Sequence, residues 1–203
     1  MLDADFEEDY PNVLKKEYAY LKQKYRLQPV PAHLWKFLRM RPANFPTVRI
    51  AQFAALIHRS VHLFSQIIEV DTIKDILPLL NVTASDYWHT HFRFDEPQKV
   101  PASKHLGLSS VHNIIINTVA PIKFLYAHIN GLSAQQEIAL QLLDTIPAEK
   151  NRILDIWTAY NWKADSAAQS QALIQLYNRY CSQKRCLQCS IGLSILRSGP
   201  DKS

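Results

Sequence analysis

Glycine is scarce in this chain, with four among 203 residues. An all-β fold built on many tight hairpins needs more, because such turns place backbone at positive φ, where glycine is favoured. The scarcity argues for helices. Long apolar runs are missing too. The longest candidate, residues 111–129, is interrupted by His112, Asn113, Asn117, Pro121 and Lys123, so no membrane-spanning segment is expected. The opening MLDADFEEDY is acidic where a secretory signal is basic and then apolar, and the expected compartment is the cytoplasm. Cysteine is limited to three residues, all within positions 181–189. An odd, clustered set is a poor design for a stapled secreted fold and reads as a local site. No glycine-rich phosphate loop, nucleophile elbow or paired-carboxylate pattern occurs, so no complete active site can be assembled and an independent enzyme is not expected.

What is present describes an ordinary globule, with 47% hydrophobic and 20% charged residues. The length favours a single helical domain over 1–203, with a C-terminal subdomain around the cysteines at 165–197. The net charge of +5 is regional. Residues 11–60 hold ten Lys and Arg against one acid, Glu17, whereas residues 1–10 hold five acids and no base. The basic character is therefore regional, as a surface that meets nucleic acid or an acidic partner would have it.

Hydrophobic spacing supplies the helices. Leu14, Tyr18, Leu21 and Tyr25 recur at helical intervals over residues 12–26. Pro31 suits the first turn of a short helix carrying Leu34, Trp35, Phe37 and Leu38, and Pro46 the first turn of one burying Val48, Phe53 and Leu56. Asp71 is the expected cap of a helix ending near Leu80. Thr83–Asp86, Ser133–Gln136 and Ser166–Gln169 read as capping boxes, and residues 93–104 as an exposed loop. Pro121 predicts a kink or break within 111–129. The count is about nine helices in an all-α bundle, without a significant sheet.

The strings LKKEYAYLKQKYRL, RPANFPTVRIAQFA, NIIINTVAP, IPAEKNRIL and SQALIQLYNRYCSQKRCLQCSIG together resemble the bacterial domain-of-unknown-function 2851 family. The resemblance implies members about twice as long, with this chain as their C-terminal half. It also implies an N-terminal α/β region whose acidic and histidine motifs are somewhat like those of metal-dependent nucleases. It supplies no reaction and no catalytic residue.

Cys181, Cys186 and Cys189 are spaced so that a bend between two helices would let the three thiols converge beside Lys184 and Arg185. Zinc is the expected ion, with an iron–sulfur cluster as the alternative. Either needs a fourth ligand, from a histidine, water or an N-terminal partner domain. The bland reading is three reduced thiols filling a helix junction; a redox pair at Cys186 and Cys189 is the minor option. The histidine pairs His58 and His62, and His89 and His91, are the source of the guessed fourth ligand, although each reads more simply as structural.

Tyr18, Tyr20, Tyr25, Trp35, Phe37 and Phe45 interleave with the charges of the basic window, the composition of a surface that tracks phosphates and stacks bases. Lys36, Arg39, Arg41 and Arg49 are the candidate nucleic-acid contacts. Against this stands a solvated basic face with aromatics at core positions, and a third reading is docking to an acidic partner. Asn113 and Asn117, one helical turn apart, would need hydrogen-bond partners if buried. The functional expectation is a helical accessory domain that binds nucleic acid beside a catalytic half, and the alternative is a structural or protein-docking domain.

Overall fold

The computed structural model describes residues 4–198. It contains α1 (Asp9–Tyr25), α2 (Pro46–Arg59), α3 (Leu63–Glu69), α4 (Ile73–Leu80), α5 (Leu108–Ile114), α6 (Ala120–Ile129), α7 (Ser133–Thr145), α8 (Arg152–Ala159), α9 (Ala167–Leu176) and α10 (Ser190–Ser198). A π-helical turn, Ile115–Val119, joins α5 to α6, so the ten segments make nine helices among the described residues. No strand forms there, and extended backbone pairs in isolated bridges such as Thr83 with His105. The all-α expectation holds. No helix of the described residues is long and apolar enough to cross a membrane.

The chain divides into two compact units, Met1–Glu69 with Ile76–Val111 and Val70–Asp75 with His112–Ser203. In the first, Val48, Ala84 and Trp88 are buried beneath Tyr10, Phe45, Tyr87, Phe92 and Phe94. Pro46 starts α2 because its fixed φ suits the first turn and its missing N–H is not needed there. The buried line of α2 is Val48, Gln52 and Leu56, spaced four apart. Phe53 lies one position off that line and is 61% exposed, against the expectation that it is core. At the far end of α2, Arg59 donates to the carbonyls of Pro78, Leu79 and Asn81 at 3.0, 2.5 and 2.5 Å, satisfying the C-terminal carbonyls of α4.

The irregular segment 93–104 turns Phe94 and Lys104 inward rather than running wholly exposed. Lys104 is buried, donates to the carbonyl of Ala102 at 3.0 Å, and lies 4.0 Å over the Phe92 ring. Burial lowers its pKa. Beside it, His91 stacks on Tyr87 with ring centroids 4.1 Å apart, and Tyr87 stacks on Tyr10 at 4.3 Å. Glu8 ties the stack together, meeting His91 Nε2 at 3.0 Å and accepting from the Tyr87 hydroxyl. Burial first, and the bond to Glu8 second, hold that hydroxyl well above its ordinary pKa.

In the second unit α6 packs on α7, and α9 packs on both α7 and α8. Ile115, Val119, Ala127, Ala139, Leu142, Ile146 and Ala167 are buried there. Pro121 does not break the helix. It sits in the first turn of α6, and the π turn before it absorbs the mismatch that a proline imposes on an i→i−4 ladder. Asn113 and Asn117 are exposed, and the Asn117 amide donates from that turn back to the Asn113 carbonyl of α5 at 3.0 Å.

The capping boxes divide. Ser166 caps α9 by accepting from Gln169 N–H at 3.3 Å. Ser133 is already inside α7, whose N-cap is Leu132. Thr83 is drawn into the bridge with His105, leaving Ser85 to precede the 3₁₀ turn Asp86–His89. At α4 the reciprocal pair is Thr72 and Asp75, whose hydroxyl and carboxylate meet at 2.5 Å; Asp71 lies 3.8 Å from the Lys123 ammonium.

Candidate functional site

Two 3₁₀ turns, Ala32–Leu34 and Pro42–Asn44, bracket the stretch around residues 35–41, and no regular helix carries Leu34 to Leu38 as the sequence suggests. Trp35 is extended, at φ −83 and ψ 106, so successive side chains alternate. Trp35 and Phe37 are half-buried while Lys36 and Leu38 are exposed. The inward pair forms one wall of a cavity of about 190 Å³ in the first unit. Leu14 of α1 and Ile50 and Ala54 of α2 line another side, with Trp88 and Phe94 also bordering it.

The lining is apolar because its few polar atoms are engaged elsewhere. Thr47 Oγ1 donates to the Phe92 carbonyl at 2.5 Å, and Trp88 Nε1 donates to the Tyr10 hydroxyl at 3.4 Å. Arg93 supports the wall with its guanidinium 4.7 Å over Phe37 and 5.2 Å over Phe45, while its Nε is buried without a hydrogen-bond partner. Nothing in the spacing of RFDEP singled out Arg93.

The four basic candidates separate. Lys36, Arg39 and Arg41 are exposed, with Arg39 in left-handed backbone at φ 60. Arg49 belongs to the framework: it donates to Gln52 at 3.0 Å, to Asn44 at 2.6 Å and to Ser110 at 2.8 Å, and burial lowers its pKa. Apolar surface stays uncovered on the two helices that contribute to the cavity wall, on α1 at Leu14, Leu21 and Tyr25, and on α2 at Ile50, Phe53 and Ile57.

The cysteines lie in the second unit. Cys181 ends a π turn, Tyr177–Cys181, that continues α9; Cys186 opens a 3₁₀ turn, Cys186–Gln188; Cys189 immediately precedes α10. Cys181 and Cys186 are exposed and Cys189 is buried. Burial raises the Cys181 thiol pKa, with smaller contributions from Cys189 and Cys186, so the three share a neighbourhood. Among the described residues no group of three or more His, Cys, Asp and Glu side chains is placed to hold a metal ion. His58 and His62 are exposed on and just beyond α2, His89 lies 3.9 Å from Asp86, and His91 is held by Glu8.

Fold and cavity together define an all-α protein whose first unit carries an aromatic pocket beside exposed basic residues. The chain belongs to the family described as protein of unknown function (DUF2851), whose model matches residues 1–152. No curated protein matches it, and no solved structure does. The matched span contains the pocket and all four basic candidates; the cysteines lie beyond it.

Proposed function

We propose that the first unit is a docking module for a protein segment that carries a bulky apolar side chain flanked by carboxylates. The observation that carries the reading is the pocket itself: apolar, open to one side, and lined in part by Trp35 and Phe37, between which Lys36 faces solvent. An engineered apolar cavity of about 150 Å³ accommodates benzene, so about 190 Å³ suits one large side chain. Burying such a side chain stabilises a complex by about 1.5–3 kcal/mol. The chain's own first residues illustrate the complementarity. Phe6 packs edge-on against Phe94 at 5.4 Å, Lys15 sits 5.8 Å over Phe6, and the Lys15 ammonium lies 3.8 Å from Asp5. An acidic, aromatic segment thus already lies against the basic helix α1.

Nucleic acid is the competing occupant and the pocket fits it less well. A base entering it would gain about 1–3 kcal/mol of stacking. Its polar edges would meet no partner, at a cost of about 1–3 kcal/mol for each unsatisfied group.

Fluorescence anisotropy separates the two. An acidic peptide with one central tryptophan should bind, and Ala54→Phe, which narrows the exposed side of the cavity, should weaken it about tenfold or more, the equivalent of one lost apolar anchor. Charge reversal at Lys36, Arg39 and Arg41 should weaken it as well. An oligothymidylate of the same net charge that binds more tightly than the peptide, unaffected by Ala54→Phe, would replace this reading with the nucleic-acid one. Binding of neither probe at low salt would remove both.

A further inference from the structure

We propose that Cys186 and Cys189 are a redox-active pair that closes to an intramolecular disulfide by exchange with a low-molecular-weight disulfide such as glutathione disulfide. The geometry comes from the backbone. Cys189 N–H donates to the Cys186 carbonyl at 3.2 Å, closing the 3₁₀ turn between them. A turn closed in this way holds its end Cα atoms within about 7 Å, and a disulfide spans Cα separations of about 4.4–6.8 Å. The backbone of the turn therefore holds the pair within the Cα range of a disulfide.

The surroundings fix that turn and divide the labour within it. A Cβ built on Gly192 would lie 2.4 Å from the Cys186 carbonyl oxygen, so only glycine lets α10 seat against the turn. On the other side, Lys184 takes left-handed backbone at φ 54, and the N–H of Arg185 donates to the Tyr180 carbonyl at 3.0 Å. Cys186 is exposed and open to a reagent. Cys189 is 8% exposed and its carbonyl accepts from Leu193 N–H at 2.8 Å, which places it at the N-cap of α10. Lys184 and Arg185 place two positive charges in the chain just before the pair. Cys181 lies outside this turn, at the end of the π turn Tyr177–Cys181.

The chemistry balances in two exchanges. The Cys186 thiolate attacks one sulfur of glutathione disulfide, the S–S bond breaks, and one glutathione leaves as a thiolate that takes up a proton. The Cys189 thiolate then attacks the Cys186 sulfur of the mixed disulfide, expelling the second glutathione. The protein loses two thiol protons and two electrons, and the glutathione disulfide is reduced to two thiols.

The test is to equilibrate the full chain in glutathione buffers of rising oxidised fraction, quench in acid, alkylate, and map the peptides by mass spectrometry. The expected product is lighter by two hydrogens, linked between Cys186 and Cys189, with Cys181 alkylated. Cys189→Ser should accumulate a persistent glutathione adduct on Cys186, and Cys181→Ser should behave as the parent. The wild-type peptide map decides the matter even where a variant folds poorly. A linkage that engages Cys181 would overturn the proposal. So would an unresolved adduct on Cys186 in the parent chain, alkylation of all three thiols in fully oxidising buffer, or a bound zinc ion that shields them until a chelator is added.

Discussion

Arg49 and its three basic companions look alike in the sequence and differ in what their side chains already hold. Three acceptors surround the Arg49 guanidinium, on Asn44, Gln52 and Ser110. Removing a charged donor from a half-buried network leaves those acceptors to find other partners, which costs about 1–3 kcal/mol. Arg49→Ala should therefore lower the urea midpoint clearly. Lys36→Ala, Arg39→Ala and Arg41→Ala remove exposed groups, and each should stay within about 0.5 kcal/mol of the parent. The same three should nonetheless weaken the acidic peptide in the anisotropy assay. A set that destabilised the fold uniformly would mean the exposed cations are framework rather than docking contacts. Residue type marked this window as basic; which cations were free to meet a partner depended on packing by Asn44 and Ser110, the latter 61 positions away.

Helix ends behave in the same way at the next scale. Asn151 caps α8, accepting from Ile153 N–H at 3.0 Å and Leu154 N–H at 3.1 Å, and Ser166 caps α9. Asn151→Ala and Ser166→Ala should each cost about 0.5–2 kcal/mol, read by chemical denaturation. Ser133→Ala removes no cap and should be close to neutral, because α7 begins with Ser133 already in the helix. A cost at Ser133 equal to that at Ser166 would mean that the first turn of α7 starts later than described. Apart from the helix expected at Leu34–Leu38, the existence and order of the helices were legible in the sequence because periodicity and prolines act over a few neighbouring residues. Pro46, for example, starts α2 where its position predicts. Less legible was which face each helix buries. Leu14, Leu21 and Tyr25 have core spacing on α1 and remain exposed, since a stripe is buried only where another element covers it. The pocket was not legible: the spacing of Leu34, Trp35, Phe37 and Leu38 suggests a helix where extended backbone turns Trp35 and Phe37 inward, and Trp88 and Phe94 join them through a fold that spacing does not encode.

For the molecule as a whole, charge and apolar surface are concentrated in the same stretch of chain, and salt acts on them in opposite directions. Residues 11–60 carry ten bases and one acid, and they also supply Leu14, Trp35, Phe37, Ile50 and Ala54 of the pocket lining. Exposed ion pairs are screened over about 10 Å at 0.1 M ionic strength and 3 Å at 1 M. Burial of an apolar side chain is not weakened by salt, and sulfate or phosphate strengthens it. Binding of the tryptophan-centred acidic peptide should therefore fall as sodium chloride rises and then level off at a residual affinity supplied by the anchor. In Ala54→Phe the plateau should vanish while the salt-sensitive part survives. In the variant reversed at Lys36, Arg39 and Arg41 the plateau should survive and the salt-sensitive part should shrink or change sign. A nucleic-acid ligand behaves differently, since its affinity falls linearly in log–log form with a slope set by the number of phosphates neutralised and shows no plateau. Titrating the peptide at several salt concentrations in the parent and both variants checks this directly. A straight log–log line in the parent that neither variant bends would mean that the peptide is held by charge alone and that the aromatic pocket takes no part in docking.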